Sequence, residues 1–363
     1  MKPQNTFILL IILAACSNMP VATPSSKLGM IIVPDTPKPS ITPSPTISPM
    51  PEQLLYPYTI EGLREHKFQS GKITIRKTVL ETEIFTRYLI EYPSDGLVIT
   101  GILQVPKNGK PPFPVIVMNH GFFSRAVYSS GDGTDRAAEF LNRRGYLTVA
   151  SDYRSWSGSE IGESLFYSGL AIDIINLMNA LPSLDNADTE RIGMWGHSMG
   201  GGATLKVLTI DSRVKAAVLY SSVSADFADI IERWGPGCLG DVFRGELEYG
   251  CNSSDILPLV LPDALITEYF DTVSDPEMLK VVSPFYYFEF VTAPIQIVYG
   301  TQDGKTSDGT PPDWSKKMYE GFLEAGKDAQ LFAHPGEGHS FREDEWFAFM
   351  QRSGQFFDRY VKP

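Results

Sequence analysis

The chain has 363 residues, of which 43% are hydrophobic and 12% aromatic, and its formal net charge is −12. A chain of this length and apolar content can bury the core of one large domain. The acidic balance, without a compensating basic cluster, argues against nucleic acid and other phosphate-rich partners.

The amino terminus has the pattern of an export signal. A short basic start precedes an apolar run over residues 7–15 that is too short to span a bilayer as a stable helix. Residues 1–15 are therefore predicted to be a signal peptide. The closing Leu13-Ala14-Ala15-Cys16 resembles the lipobox of bacterial lipoproteins, in which Cys16 would be acylated. The pattern predicts an extracytoplasmic protein anchored to a membrane by lipid, and an ordinary cleaved signal is the alternative.

A proline-rich segment follows the signal. Ten prolines lie between Asn18 and Pro57, interleaved with serine and threonine. Such a composition cannot bury a core and is typical of an extended tether. We therefore expect residues 16–57 to be a linker and residues 58–363 to form the folded domain.

Beyond the linker, extended runs alternate with helical patterns. Three extended runs near residues 72–80, 83–92 and 97–105 come first. Strands are then predicted at 114–119, 146–151, 190–195, 214–220, 294–299 and 329–332, and helices at 136–144, 170–181, 199–210 and 313–325. This alternation predicts an α/β domain with a mostly parallel sheet and helices on both faces. Its ligands should bind at the carboxyl ends of the strands.

A long insertion separates two of the predicted strands. Residues 224–282 are long enough to form a helical cap over the strand ends, and they carry twelve acidic residues against three basic ones. This charge predicts either a cap that repels anionic substrates or simply a solvated surface. Cys238 and Cys251 both lie here, and two such cysteines in an exported protein are expected to form a disulfide.

The most informative motif is Gly196-His197-Ser198-Met199-Gly200, which has the form G-x-S-x-G between a strand pattern and a helix pattern. On such a sharp turn a serine hydroxyl can meet both an imidazole and a substrate carbonyl. A side chain at position 196 or 200 would collide where the strand and the helix cross, so glycine is required there. Ser198 is therefore the predicted nucleophile.

A base and an acid follow Ser198 in the chain. His339 lies in a glycine-rich loop after the last predicted strand, whereas His334 comes at the end of that strand. Asp303 follows the strand at 294–299, where its carboxylate could orient the imidazole, and Asp226 and Asp308 are alternative acids. The order serine, aspartate, histidine is typical of acyl hydrolases.

His120-Gly121-Phe122 follows the strand at 114–119, where an acyl hydrolase places one donor of its oxyanion hole. The N–H groups of Phe122 and Met199 are therefore the predicted donors, and a simple strand-ending turn is the alternative. The remaining histidines and cysteines show no ligand spacing, so we expect no metal and no organic cofactor.

Several phrases between residues 114 and 341 occur in the order of a known family. They are Arg144-Gly145-Tyr146, Ser151-Asp152-Tyr153-Arg154, Glu190-Arg191-Ile192-Gly193, Gly196-His197-Ser198-Met199-Gly200-Gly201, Ser283-Pro284, Ala293-Pro294 and Gly336-Glu337-Gly338-His339. This region resembles the catalytic domain of the prolyl oligopeptidase family and its dienelactone-hydrolase-like relatives. The resemblance implies an α/β-hydrolase fold with the triad Ser198, Asp303 and His339, and it implies structural roles for Asp152 and Arg154.

Together these features predict a serine hydrolase that cleaves small esters or short peptides through an acyl-enzyme intermediate. The region ahead of residue 110 leaves no room for the propeller domain of larger peptidases in that family, and the Phe122 loop lacks their second glycine. Both departures argue against a large peptidase and favour an esterase, and a compact exopeptidase is the alternative. The alternative from another class is a surface lipoprotein with a lapsed site that acts as a binding module.

Overall fold

A computed structural model describes residues 54–240, 242–244, 247–249, 251 and 260–363. The predicted signal peptide, Cys16 and nearly all of the predicted linker lie outside these residues. Leu55 is buried in the core, and its N–H donates to a carboxylate oxygen of Glu268 at 2.9 Å. The folded region therefore begins slightly before the expected boundary at residue 58.

Nine strands form one sheet within the described residues, and two short strands form a separate hairpin. The strands are β1 (Thr74–Glu81), β2 (Phe85–Ser94), β3 (Leu97–Pro106), β4 (Phe113–Asn119), β5 (Leu147–Ser151), β6 (Ala187–His197), β7 (Val214–Tyr220), β8 (Val242–Arg244), β9 (Leu247–Tyr249), β10 (Ile295–Gly300) and β11 (Ala329–His334). The sheet has the order β1-β2-β3-β5-β4-β6-β7-β10-β11. The first three strands are antiparallel to their neighbours, and β5, β4, β6, β7, β10 and β11 run parallel.

Helices cover both faces of this sheet. They are α1 (Ile60–Glu65), α2 (Asp135–Arg143), α3 (Ser168–Ala180), α4 (Met199–Ile210), α5 (Phe227–Trp234), α6 (Asp263–Ser274), α7 (Pro276–Leu279), α8 (Pro312–Glu324) and α9 (Glu343–Tyr360). Alternate side chains of β4 enter different cores: Val115 and Val117 pack with α3, α4 and α8, whereas Ile116 and Met118 pack with α2 and α9. A strand with two buried faces reads as a continuous apolar run, which is why β4 and β7 could be predicted from the sequence.

The segment Leu165–Ser183, which contains α3, is long and apolar enough to cross a membrane. Its most apolar stretch is 83% buried inside the fold, and Ile174 and Leu177 belong to the core. Its apolar character is therefore explained by packing against the sheet and α4.

The insertion between β7 and β10 contains α5, α6 and α7, together with a hairpin of β8 and β9 that the sequence pattern did not predict. Part of its negative charge is neutralised inside the fold, since Lys317 of α8 contacts Asp226 at 2.8 Å and Asp229 at 2.9 Å. The insertion is thus fastened to the sheet domain by ion pairs as well as by apolar contacts.

Candidate active site

Ser198 occupies a strained turn between β6 and α4. Its backbone has φ 54° and ψ −122°, a conformation that an L-residue adopts only when the surrounding structure enforces it. A Cβ added at Gly196 would lie 2.4 Å from the carbonyl oxygen of Gly200, and one added at Gly200 would lie 2.1 Å from that of Asn119. Both contacts are with backbone, so the two glycines are required as the sequence predicted.

Neighbouring strands hold the backbone of this turn. The N–H of Ser198 donates to the carbonyl oxygen of Tyr220 in β7 at 3.1 Å. The carbonyl of Ser198 accepts from the N–H groups of Gly201 and Val223 at 2.9 and 3.2 Å. These bonds fix the position of the serine at the carboxyl end of β6.

Asp303 and His339 meet at the same edge of the sheet. Asp303 follows β10 and His339 follows β11, and Nδ1 of His339 lies 3.0 Å from Oδ2 of Asp303 and 3.2 Å from Oδ1. Burial would raise the pKa of Asp303, but hydrogen bonds from His339, Thr310 and Gly304 hold it below its usual value. Asp303 is therefore a buried carboxylate that stays ionised and accepts the Nδ1–H of His339.

The two alternative acids are engaged elsewhere. Asp226 caps the amino terminus of α5 and accepts bonds from Lys317 and Tyr286. Asp308 lies in the wall of the cavity described below, and no hydrogen bond joins it to His339 among the described contacts. The geometry thus favours Asp303 as the partner of the imidazole.

The loop after β4 packs directly against the serine. A Cβ added at Gly121 would lie 3.1 Å from Cβ of Ser198. Within the part of the chain that the structure describes, the N–H groups of Phe122 and Met199 donate to no other protein group. Met199 is the first residue of α4, where a helix leaves its N–H groups without internal partners. Two backbone donors are therefore available beside Ser198.

The side chain of His120 holds the loop that contains Gly121 and Phe122. Its ring stacks between Tyr128 and Tyr153 at centroid distances of 4.4 and 4.3 Å. Its ring nitrogens lie 2.7 Å from the carbonyl oxygen of Gly121 and 3.2 Å from that of Asp152. Burial lowers the pKa of His120 to about 4, so the ring is neutral at neutral pH and serves to hold the loop.

His197 points away from the substrate side and contacts the loop that carries His339. Its Nε2 lies 3.2 Å from the carbonyl oxygen of His339, and its ring stacks on Tyr220 at 4.6 Å. Burial, together with the nearby His339, lowers the pKa of His197 to about 3. Sequence reasoning assigned no role to this side chain, because the motif alone does not show which loop it meets.

A cavity of about 450 Å³ opens above Ser198. The aromatic side chains of Phe122, Trp156, Tyr167 and Trp234 help to line it. Among the described residues, no group of three or more His, Cys, Asp and Glu side chains is arranged to hold a metal ion.

Arg154 also reaches the cavity wall, but its guanidinium is occupied. Nε and Nη2 donate to Asp173 at 3.1 and 2.9 Å, and the two side chains are 5% and 0% exposed. The carboxylate of Asp152 is likewise engaged, since it accepts hydrogen bonds from the hydroxyls of Thr100, Ser130 and Tyr128. Both residues stabilise the strand ends beneath the site.

The sulfur atoms of Cys238 and Cys251 are bonded, with their Cα atoms 4.7 Å apart. Both cysteines line the cavity, so this bond forms part of its wall. The insertion therefore contributes directly to the shape of the site.

The sequence model of a family described as BD-FAE matches residues 103–318, which is more than half of the chain. YuxL of Bacillus subtilis (strain 168), described as an uncharacterized peptidase, is 24% identical over 278 residues, which cover 73% of this chain and 37% of YuxL. The chain spans less than half the length of the curated relatives it matches.

Solved structures share the fold at low identity. Acetyl xylan esterase from Paenibacillus sp. R4 superposes with a TM-score of 0.58 and 18% identity, over 83% of this chain and 92% of the esterase. Acylaminoacyl peptidase of Pyrococcus horikoshii superposes with a TM-score of 0.57 and 21% identity, over 78% of this chain and 43% of the peptidase. These superpositions establish the α/β-hydrolase fold. The reaction has to be inferred from the residues of the site.

Proposed function

Because the chain belongs to the BD-FAE family of α/β-hydrolases, we propose that it is a serine hydrolase whose substrates are small carboxylic esters. Ser198 attacks the ester carbonyl, His339 takes its proton, and Asp303 holds the imidazole. The observation that carries this proposal is the 3.0 Å contact between His339 and Asp303 at the sheet edge where Ser198 follows β6.

The tautomer of His339 follows from this contact. A carboxylate can only accept, so Nδ1 of His339 carries the proton and Nε2 is left with a lone pair. That lone pair can receive the Ser198 proton and later deliver it to the leaving alcohol. Water then attacks the acyl-enzyme with the same imidazole as its base.

The free N–H groups of Phe122 and Met199 would receive the charge that develops on the carbonyl oxygen. Donors fixed in the backbone need no reorganisation during the reaction, and the loss of one such donor typically costs about 3 kcal/mol of transition-state stabilisation. The packing of Gly121 against Ser198 supports this role, because it brings the Phe122 loop next to the nucleophile.

Two observations favour esters over peptides. The acetyl xylan esterase from Paenibacillus sp. R4 is matched over 92% of its length, whereas the acylaminoacyl peptidase is matched over only 43% of its length. The cavity, which the Cys238–Cys251 bond and Trp234 help to line, has a volume of about 450 Å³, and this size suits a compact acyl or alcohol group better than an extended peptide.

Paired assays test the proposal. Wild type, Ser198→Ala and the matched control Ser307→Ala, another serine of the cavity wall, are compared on p-nitrophenyl acetate and on a short peptide p-nitroanilide. We expect ester hydrolysis that Ser198→Ala abolishes and Ser307→Ala retains. Faster cleavage of the anilide would identify a peptidase, and no cleavage by a folded wild type would favour a binding module.

We further propose that Cys16 carries a lipid that tethers this domain to a membrane outside the cytoplasm. The support is the Leu13–Cys16 pattern and the proline-rich segment that follows it. In a bacterial host the full chain should fractionate with membranes and incorporate a fatty-acid probe, and Cys16→Ser should lose both properties. Equal membrane association of Cys16→Ser would contradict the tether.

A further inference from the structure

The loop that follows Asp303 closes on the Asp303 carboxylate itself. Gly304 and Thr310, at the two ends of loop 304–310, donate backbone N–H bonds to Oδ1 of Asp303 at 2.7 and 2.8 Å. The Thr310 hydroxyl adds a bond of 2.7 Å to Oδ2. The conformation of this loop therefore determines the direction of the carboxylate toward His339.

Two consecutive residues of the insertion hold the same loop. Nη2 of Arg233 donates to the carbonyl oxygens of Gly304 and Thr306 at 3.0 and 2.7 Å. The indole Nε1 of its neighbour Trp234 donates to the carbonyl oxygen of Ser307 at 2.6 Å. Three hydrogen bonds thus join the end of α5 to the segment that carries the acid.

Trp234 connects the loop to the cavity as well. Its ring packs edge to face on Trp314 of α8 at 5.2 Å, and it lines the cavity together with Ser307. Arg233 is not among the cavity-lining residues, although it bonds the same loop. Arg233 and Trp234 therefore both contact loop 304–310, but only Trp234 lies where a substrate could touch it.

We propose that Arg233 and Trp234 are positioning residues that orient Asp303 toward His339, so that the insertion completes the catalytic geometry as well as covering the site. This role rests on the proposed function, since it concerns the same reaction at Ser198. Loss of such charge-assisted and neutral hydrogen bonds should slow the chemical step about three- to thirtyfold. Substrate affinity should change little when Arg233 is altered.

The test compares Arg233→Met, Arg233→Lys and a matched control, Lys317→Met. Lys317 also binds α5, through Asp226 and Asp229, but it makes no bond to loop 304–310. We expect Arg233→Met to lower kcat for p-nitrophenyl acetate about three- to thirtyfold with KM within about twofold of wild type. Arg233→Lys should recover part of kcat, and Lys317→Met should keep the wild-type kcat.

A second measurement, by NMR, reports on the contact between His339 and Asp303. The proton resonance of the His339 Nδ1–H, bonded to Asp303, should shift or broaden in Arg233→Met and stay in place in Lys317→Met. If Arg233→Met does not fold, Trp234→Phe provides a second test, because it keeps an aromatic ring and removes the N–H to Ser307. The substitution also shortens a ring of the cavity wall, so its decisive readout is the His339 resonance and not KM. An unchanged kcat and resonance in a folded variant, or an equal loss of kcat in Lys317→Met, would overturn the proposal.

Failure of the proposed function would look different. In that case the wild type itself would show no hydrolysis that depends on Ser198, whatever the state of Arg233. A wild type with Ser198-dependent activity and an Arg233→Met variant of equal kcat would overturn only the positioning role.

Discussion

The carbonyl oxygen of His339 lies 3.2 Å from Nε2 of His197, the residue that directly precedes Ser198. A carbonyl can only accept, so the His197 ring donates its Nε2–H. Beside it, the hydroxyl of Tyr220 accepts from the N–H of Phe341 at 2.7 Å. Strands β6 and β7 therefore hold the short segment that carries His339, the proposed base.

Replacing His197 should weaken the placement of the base. His197→Phe keeps an aromatic ring against Tyr220 but removes the donor to His339, and we expect kcat to fall about five- to tenfold with KM near the wild-type value. Ester hydrolysis at saturating and limiting substrate measures both constants. His66→Phe, which removes a histidine paired with Asp95 away from the cavity, is the control. An unchanged kcat in His197→Phe would show that the bond has no positioning role.

The depressed pKa of His197 predicts a loss of stability in acid. The unfolded chain binds a proton near pH 6.5, whereas the folded His197 does so only at about 3. The contribution of His197 to the free energy of unfolding is thus complete above pH 6.5. Below that value it falls by about 1.4 kcal/mol for each pH unit. Urea unfolding of wild type and His197→Phe between pH 7 and pH 5 should show a shallower acid dependence in the variant. Parallel pH dependences would contradict the burial of a neutral imidazole.

The crossing of β6 and α4 predicts that Gly200→Ala destabilises the fold, and Gly338→Ala, in the loop after β11, is the control. Gly200→Ala places a Cβ 2.1 Å from a backbone oxygen that cannot move aside, and it should destabilise the fold by at least about 1–3 kcal/mol. Gly338→Ala meets nothing within 4 Å, so its melting temperature should match wild type. Thermal unfolding of both variants decides the point. A Gly200→Ala protein as stable as wild type would be incompatible with the described turn.

The Cys238–Cys251 bond predicts a stabilised cavity wall. The two residues are 13 positions apart, and closing a loop of that size contributes about 3 kcal/mol in the chain-entropy model. The Cys238→Ala/Cys251→Ala double variant should therefore unfold at lower denaturant and show a raised KM, because both residues line the cavity. Mass spectrometry of unreduced peptides gives a direct check. Two free thiols in protein purified without reducing agent would refute the bond.

The sequence predicted the central strands well, for a physical reason. Strands such as β4 and β7 are buried on both faces and leave unbroken apolar runs, and the carboxyl ends of parallel strands meet at one edge. The positions of Ser198, Asp303 and His339 just after such strands were the reason to expect them at one edge. His339 and Asp303 are in contact there, and the catalytic roles of the three residues stay a prediction.

Contacts between distant loops could not be predicted in the same way. His197 meets a carbonyl 142 residues later, and Arg233 meets carbonyls more than 70 residues later. All three acceptors are backbone atoms, which leave no residue-specific signal in the sequence. The strands β8 and β9 have three residues each, too few for an alternating pattern to stand out.

The most direct test of the central claim is covalent labelling of the purified protein by a fluorophosphonate, followed by peptide mapping. Serine hydrolases react through their activated nucleophile, so the adduct should form on Ser198, vanish in Ser198→Ala and persist in Ser307→Ala. His339→Ala should react far more slowly, since the serine would lack its base. An adduct on another residue, or none on a folded wild-type protein, would contradict Ser198 as the nucleophile.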